Sequence, residues 1–316
     1  MKKSVKFEQK CQTIIREFKR DWQLWLLVMV PVIWLVIFDY GPMYGLQIAF
    51  RDYLPRDGIT KSAWVGLKWF KKFLTDRNFV EVFSNTVILS VYGLVVNFPL
   101  PIIFALILHG MRSQKYKRVV QVVTYIPHFI STTVMVSIVQ MLLSPVSGIY
   151  GAFYQLLGGE GYPVDFRATA VAFRHIYVWS GVWQGLGWST IIYTAALSAV
   201  SPELHDAAMV DGASRFKRMI HVDIPAIMPT ICIRLILSFS GIIGVGFEKA
   251  FMLQSGLNLS VSEVISTYVY KRGMNSFKNF SYGTAVSLFN TAINLTLMLI
   301  VNKISKKMSD DEVSLF

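Results

Sequence analysis

Six long apolar stretches constrain this sequence more than any other feature. A helix needs roughly 20 consecutive, mainly apolar residues to cross the hydrocarbon of a bilayer. Stretches of this kind occupy about residues 23–44, 86–109, 119–143, 176–200, 225–245 and 282–301. Because backbone polar groups in lipid must find their partners within the chain, the pattern predicts an all-α integral membrane protein with six transmembrane helices.

The composition excludes an ordinary soluble domain and argues against a nucleic-acid binder. Hydrophobic residues make up 53% of the 316 residues and charged residues only 16%, against roughly 25% charged residues in soluble domains. The net charge of +12 is spread over segments between the apolar stretches and forms no basic stripe. We therefore expect the surplus apolar surface to face membrane lipid, and we expect no nucleic-acid partner.

The distribution of lysine and arginine predicts the orientation. Basic residues in short loops tend to stay on the cytoplasmic side of a membrane. More of them lie in residues 1–22, 110–118, 201–224 and 303–316 than in the other connecting segments. We therefore expect a multi-pass protein of the plasma or inner membrane with both termini in the cytoplasm. The expected parts are a basic N-terminal segment (1–22), a transmembrane domain (23–302) and a cytoplasmic tail (303–316).

The residues that usually carry catalysis or bind metals form no recognisable motif. Cys11 and Cys232 lie far apart, in a basic segment and in an apolar stretch, and neither has a metal-type spacing. The five histidines are scattered, and the chain has no GxxxxGK[ST] loop and no nucleophile beside a plausible base. The sequence therefore predicts no catalytic residue, no metal site and no enzyme.

The segment between the fourth and fifth apolar stretches (201–224) carries the strongest local signals. Ser201 is a good N-cap, Pro202 a good first helical residue, and Glu203 places negative charge in the first turn, where the helix dipole favours it. Gly212 suits a sharp change of direction, and Pro225 is expected to start the next membrane helix. The plainest interpretation is an ordinary charged connection, but the segment is longer than a hairpin needs.

The order of residues in this segment resembles the EAA motif of binding-protein-dependent ABC importer permeases. The resemblance implies the type I importer permease fold, with a cytoplasmic coupling helix between helices 4 and 5 that docks on a separate ATPase. The residues implied to make that contact are Glu203, Asp206, Ala207, Ala208, Asp211, Gly212, Ala213, Phe216 and the closing Pro225. The sequence departs from the usual pattern at Asp206, where glutamate is typical, and at Asp223, where threonine is common.

Four further stretches are similar to carbohydrate permeases of the polysaccharide and complex-oligosaccharide branch. They are residues 40–53, 62–73, 246–254 and 264–273. The resemblance implies a carbohydrate substrate, a second permease subunit of similar fold, two ATPase subunits at the cytoplasmic face and an extracellular solute-binding protein. It also implies that ATP and Mg are used by the ATPase subunits and that this chain binds no cofactor.

Aromatic and polar residues inside the apolar stretches are candidates for contacting a solute. A sugar is recognised by aromatic faces that cover its C–H surfaces and by polar groups that bind its hydroxyls. The candidates are Trp183, Gln184, Trp188 and Tyr193 in the fourth stretch, and Glu248 and Lys249 after the fifth. The alternatives are that the tryptophans form an interfacial belt and that the two charged residues have emerged into an outer loop.

Other functions stay open on the sequence alone. A permease of the same class for amino acids, peptides or phosphorylated compounds would differ in the ligand of its solute-binding protein. A secondary transporter or channel would work without ATPase subunits and depend on an ion gradient. A membrane enzyme is the weakest alternative because no buried reactive pair is present.

Overall fold

The computed structural model describes residues 20–239, 241–275 and 279–308. Most of the predicted N-terminal segment (1–22) and residues 309–316 of the predicted tail lie outside this range. Residues 303–308, which belong to the predicted tail, continue the last helix. The chain divides into two compact units, one up to Gly66 and one from Leu67.

The first unit consists mainly of one long helical stretch, Trp22–Phe50. It begins as helix α1 (Trp22–Leu35) and continues through a π-helical turn (Val36–Tyr40), a short α-helix (Gly41–Met43) and a 3-10 helix (Tyr44–Phe50). A short helix (Gly58–Lys61) follows. Two strands, Arg51–Asp52 and Ala63–Trp64, pair antiparallel with Arg51 opposite Trp64, which is a small departure from the predicted all-α fold.

The described residues of the second unit form helices joined by turns and loops, and contain no strand. Its principal helices are α2 (Phe79–Asn97), α3 (Pro99–His109), α4 (Gln114–Tyr125), α5 (Thr132–Leu142), α6 (Ala170–Ser198), α7 (Pro202–Val210), α8 (Ile224–Phe239), α9 (Phe247–Leu253) and α10 (Phe280–Met308). Shorter helical segments are Lys68–Leu74, Ile126–Phe129, Ile149–Leu156, Phe166–Ala168, Arg215–Arg218, Met219–Asp223, Leu259–Ser262, Ile265–Val269 and Tyr270–Asn275.

Within the described residues, four helical stretches are long and apolar enough to cross a membrane, and a fifth is added if one bent pair counts as a single span. The four are Trp22–Phe50, Phe79–His109, Arg215–Phe239 and Phe280–Lys303. The predicted fourth span corresponds to α6, which has 29 residues. Because it contains many Trp, Gly, Ser and Thr residues, it is not one of these apolar stretches. Composition and length therefore do not confirm six membrane spans.

The predicted third span, residues 119–143, is not one straight helix. Gln114–Phe129 and Thr132–Leu142 meet at an angle of 105°. Pro127 lies in the 3-10 turn at the break, where its missing N–H and fixed φ favour the end of the α-helix. Ser131 then caps α5 by accepting a hydrogen bond from the Val134 N–H.

The predicted fifth span, residues 225–245, is displaced towards the N-terminus. One helix runs without interruption over Arg215–Phe239. The prediction placed its start at Pro225, but a π-helical turn (Met219–Asp223) precedes the proline and lets the helix pass through it. The helix ends earlier than predicted, and the chain turns at Gly241, whose carbonyl accepts a hydrogen bond from the Gly244 N–H.

Helix α6 is the central element of the second unit. It packs along α3, α2, α4 and α8. One buried cluster surrounds its first half and includes Leu89 of α2, Met135 of α5 and Phe173. A second cluster surrounds its last turns and includes Leu106 of α3 and Ile227 of α8. Since α6 contributes to both clusters, it connects α9 near its start to α7 at its end.

Candidate functional site

The predicted short helix of the segment 201–225 is present as α7, and local residues determine both of its ends. Ser201 caps it by accepting a hydrogen bond from the Glu203 N–H, and Pro202 is its first residue. At the other end, Gly212 has a φ of +74°, a conformation that favours glycine. The Ala213 N–H donates to the Ala208 carbonyl at 2.8 Å and completes the helix end.

The residues of the EAA-like motif lie on an accessible surface. Most of the implied contact residues are exposed, and Ala208 and Ala213 are half-buried; the exposed ones are Glu203, Asp206, Ala207, Asp211, Gly212, Phe216 and Pro225. Sequence reasoning missed three apolar neighbours on the same segment: Leu204 is 53%, Met209 49% and Val210 89% exposed. Apolar side chains grouped with charged ones on an exposed helix are typical of a protein-protein contact.

Two of the predicted solute-contacting residues lie on one side of α6, at the break between α4 and α5. Gln184 donates from Nε2 to the Ile130 carbonyl at 2.8 Å. Trp188 stacks on His128, with ring centroids 4.4 Å apart and planes 3° from parallel. Gln184 and Trp188 are four residues apart and therefore share a helix face.

The predicted charged residues, Glu248 and Lys249 of α9, contact elements near the same face. Glu248 accepts a hydrogen bond from Thr133 Oγ1 at 2.8 Å. The Lys249 ammonium donates to the Tyr177 carbonyl at 2.6 Å and lies 4.6 Å from the centroid of the Tyr177 ring.

The four positions of α6 that carry these contacts are Tyr177, Gly181, Gln184 and Trp188, which we call the polar stripe. Their spacing of four, three and four residues puts them on one helix face. Gly181 belongs to it because a Cβ there would lie 3.0 Å from Lys249 Nζ. The sequence could not identify Tyr177, since its role depends on the lysine that α9 brings to it.

The other two candidates lie elsewhere on α6. Trp183 is 45% exposed and, as the neighbour of Gln184, points roughly 100° away from it around the helix. Tyr193 is buried in the second cluster beside Leu106 and Ile227. The structure therefore brings together four of the six predicted residues.

A second polar group, not identified from the sequence, joins α6 to α2. Trp179 donates from Nε1 to the Tyr92 hydroxyl at 3.0 Å. The same hydroxyl lies 2.8 Å from His175 Nδ1. His175 and Trp179 are exposed and Tyr92 is half-buried, so this group offers aromatic and polar surface on a different side of α6 from the polar stripe.

A cavity of about 220 Å³ lies near the start of α6, lined by residues including Gln140, Asp165, Arg167 and Gln254. Arg167 and Asp165 form a two-pronged ion pair, with distances of 2.8 and 2.6 Å. The guanidinium also donates to the Gln140 carbonyl. The hydrogen bonds from Arg167 hold the pKa of the Asp165 carboxyl below its usual value. We call this arrangement the Arg167 clasp.

Comparisons with known proteins agree with the resemblance seen in the motif. Residues 97–310 match the family described as binding-protein-dependent transport system inner membrane component. The chain is 37% identical to the polygalacturonan/rhamnogalacturonan transport system permease protein YteP of Bacillus subtilis (strain 168), over 98% of this chain and 95% of that protein. It is 39% identical to protein LplB of the same organism, over 93% and 91% of the two chains.

Solved structures of similar fold come from a bacterial ABC transporter involved in the import of the acidic polysaccharide alginate. One such chain has a TM-score of 0.85 and 33% identity, over 94% of this chain and 99% of that chain. Another, from that transporter in complex with an alginate pentasaccharide-bound periplasmic protein, has a TM-score of 0.85 and 32% identity. The predictions of a membrane protein, of a transport rather than an enzymatic role and of an importer permease are thereby confirmed. This chain belongs to the family of inner membrane components of binding-protein-dependent transport systems.

Proposed function

We propose that this chain forms one half of the translocation pathway of an ATP-driven importer for oligosaccharides or polysaccharide fragments. The names of its relatives support a carbohydrate substrate. The remaining subunits would be a second permease of similar fold, two ATPase subunits that use ATP and Mg, and an extracellular solute-binding protein. The last of these has a counterpart in the alginate-bound periplasmic protein of the similar transporter.

The proposed topology has six spans with both termini in the cytoplasm of the cell membrane. The bent pair α4 and α5 would serve as the third span and α6 as the fourth. The polar residues of α6 fit this position, because such residues inside a membrane bundle are tolerated where they face protein or a wet pathway. The basic residues Arg215 and Arg218, close after α7, favour a cytoplasmic location for that segment.

The observation that carries the proposed coupling is the exposed surface of α7. Leu204 and Val210 of α7 would contact an ATPase subunit there, together with Phe216 of the short helix Arg215–Arg218. A displacement of this segment would pass into Arg215–Phe239, which is one continuous helix. Its buried Ile227 packs in the second cluster with α6. Work done at α7 would thus reach α6 and change which side of the membrane the pathway opens to.

The polar stripe, together with Glu248 and Lys249 of α9, supplies the proposed contacts with the sugar. The indole of Trp188 is 49% exposed although it stacks on His128 and makes an edge contact with Phe129, so part of the ring remains for a pyranose ring. Gln184, Glu248 and Lys249 would bind hydroxyl or carboxylate groups. Trp183 would contact the solute or the second permease, and Tyr193 would do so only if the helices around it separate.

Gly212 offers a sharp test of coupling. Its φ of +74° is strained for a branched residue, whereas no atom within 4 Å would clash with an added Cβ. Gly212→Val is therefore expected to distort the end of α7 without disturbing the bundle, and Gly212→Asn, which tolerates this conformation, serves as the matched control. In proteoliposomes containing all subunits, Gly212→Val should lose ATP-dependent oligosaccharide uptake while Gly212→Asn retains it. Full uptake by Gly212→Val would contradict the proposed coupling.

The same proteoliposomes test the substrate class. Uptake of a labelled oligosaccharide should require ATP and the solute-binding protein, and an excess of amino acids or peptides should not compete. Uptake driven by an ion gradient without ATP would instead indicate a secondary transporter.

A further inference from the structure

Two histidines and one aspartate meet where α7 lies against the end of α3 and the π-helical turn before α8. His109 ends α3, His205 lies in α7, and Asp223 ends the π-helical turn before α8. The ligand atoms of the three side chains all lie within 4.8 Å of one another. They line a cavity of about 540 Å³ beside the end of α3, α7 and the segment that follows α7. None of the three is among the residues that the EAA-like motif implies in the ATPase contact.

The two contacts of Asp223 have the spacing of zinc ligands, and the three ligand atoms together lie within 4.8 Å of one another, so the side chains would close slightly around a bound ion. Asp223 Oδ1 lies 3.2 Å from His205 Nε2 and 3.8 Å from His109 Nε2. Two ligands bound at about 2.0 Å in a tetrahedral zinc site are roughly 3.3 Å apart. The 3.2 Å contact lacks hydrogen-bond geometry, because both of its atoms are buried without a hydrogen-bond partner in the described structure.

Burial makes these unpaired atoms costly. The Asp223 side chain is only 8% exposed and that of His205 21%. A buried carboxylate oxygen that accepts no hydrogen bond loses its hydration, and its contacts with two imidazoles replace that hydration only in part. A metal ion between the carboxylate and the two imidazoles would satisfy all three side chains, which is one recognised explanation for buried polar atoms that lack partners.

We propose that His109, His205 and Asp223 bind a divalent transition metal of the zinc class and so fasten α7 to the ends of α3 and of the π-helical turn. Two imidazoles and one carboxylate form a ligand set that suits zinc, with a fourth position open to the cavity. His109 is 30% exposed, so an ion can reach the site from that side.

Neighbouring charges set the strength of binding. Arg215 and Arg218 line the same cavity and raise the energy of any cation there. We therefore expect weaker binding than in a closed four-thiolate site. The sequence could not indicate this site, since its three ligands are far apart in the chain and follow no spacing motif.

Direct zinc binding tests the site without any transport assay. The full chain would be purified with a tag that contains no histidine, placed in lipid nanodiscs, and titrated with Zn²⁺ by calorimetry. We expect one Zn²⁺ per chain, and a loss of affinity of about tenfold or more in each of His205→Gln, His109→Gln and Asp223→Asn. His221→Gln is the matched control, because His221 lies on the same segment and is exposed.

Hydrogen exchange gives a second, independent measurement. Zn²⁺ should slow amide exchange over residues 202–213 in the wild-type chain and in His221→Gln, but not in His205→Gln. The melting temperature of each variant without metal shows whether it folds. Absence of zinc binding to the wild-type chain, or equal binding by the ligand variants and the wild type, would overturn the proposal. Because no substrate or ATPase subunit is used, this outcome is separate from the fate of the proposed transport function.

Discussion

Gln184 is the residue that ties the polar stripe to the break between α4 and α5. Its amide donates to the Ile130 carbonyl at 2.8 Å, at a point where the helix break removes the regular backbone partners. We predict that Gln184→Leu lowers the stability of the chain by about 1 kcal/mol, the usual worth of such a hydrogen bond. Thermal unfolding of the variant and the wild type in nanodiscs measures this loss of stability. Gln155→Leu, at an exposed position, is the control, and equal melting temperatures for the two variants would contradict the role given to Gln184.

Thr86 joins α2 to the segment that follows α9. Its hydroxyl donates to the Val82 carbonyl at 2.7 Å and accepts from the Ile265 N–H at 2.9 Å, and both Thr86 and Ile265 are 1% exposed. Thr86→Val keeps the shape but leaves the Ile265 N–H buried without this acceptor. We expect a loss of about 1–3 kcal/mol in the free energy of unfolding.

Thr291→Val is a matched comparison for this loss. Thr291 is exposed, and within the described part of the chain its hydroxyl donates to the Ser287 carbonyl one turn earlier. The free energy of unfolding of Thr291→Val should therefore lie within about 0.5 kcal/mol of the wild-type value. A Thr86→Val variant as stable as Thr291→Val would show that the Ile265 N–H finds another acceptor.

At the scale of elements, the Arg167 clasp joins segments that are distant in sequence. Arg167 pairs with Asp165, donates to the Gln140 carbonyl near the end of α5, and accepts at its own carbonyl from Asn258 Nδ2 at 3.1 Å. The clasp therefore orders the connection between α5 and α6 and the turn after α9. Its charges are about one-third exposed, so we expect a small contribution to stability.

The clasp should show a defined dependence on pH. The Asp165 pKa is lowered in the folded chain by the hydrogen bonds from Arg167. The ionised Asp165 carboxyl therefore stabilises the folded chain fully above its unfolded-state pKa of about 3.9. This stabilisation is lost as the pH falls through the lower pKa of the folded chain. Protection factors from hydrogen exchange over residues 144–168 should stay constant from about pH 7 to pH 5 and fall only below about pH 4. Asp165→Asn should have low protection factors throughout; a wild-type decrease near neutral pH would contradict this assignment.

Local signals made α7 predictable, whereas packing decided the elements that the sequence misplaced. Ser201, Pro202 and Gly212 act within a few residues of themselves, and the helix starts and ends where they predict. At the bend near Pro127, Gln184 of α6 donates to the Ile130 carbonyl, a contact that a pattern of apolar residues does not reveal. The helix before Pro225 depends on a π-helical turn, which has no strong sequence signature.

The candidate site was predictable in its residue types but not in its grouping. Aromatic and polar residues of α6 were identified by chemistry, yet composition does not tell which side of a helix meets which neighbour. Trp188 and Gln184 meet the α4 and α5 break, while Trp183 points elsewhere. Tyr177 and Gly181 entered the site only because α9 places Lys249 against them. The metal-binding cluster escaped prediction for the same reason.

At the scale of the whole molecule, α6 physically links the polar stripe to the exposed surface of α7. Its polar stripe contacts the break and α9, and its last turns share a buried cluster with α3 and α8. Protein interiors are close-packed and transmit displacement rather than absorb it. A movement of α7 and of the helix Arg215–Phe239 should therefore reach the solute-contacting face with little loss.

This arrangement requires α7 on the cytoplasmic face and the connection between α5 and α6 on the opposite face. A chain with Cys11 and Cys232 replaced by serine can carry one new cysteine, either Val210→Cys on α7 or Leu156→Cys on that connection. Val210 and Leu156 are 89% and 81% exposed, so both thiols should react freely with a membrane-impermeant maleimide once it reaches them.

We expect Leu156→Cys to be labelled in intact cells and Val210→Cys only after the membrane is permeabilised, because basic residues beside α7 favour the cytoplasm. The chain should be expressed without ATPase subunits, so that no partner shields Val210. Labelling of both variants after permeabilisation controls for reactivity. If Val210→Cys were labelled in intact cells, α7 would lie outside, where no ATP-driven subunit could act on it, and the proposed direction of energy transfer through α6 would be wrong.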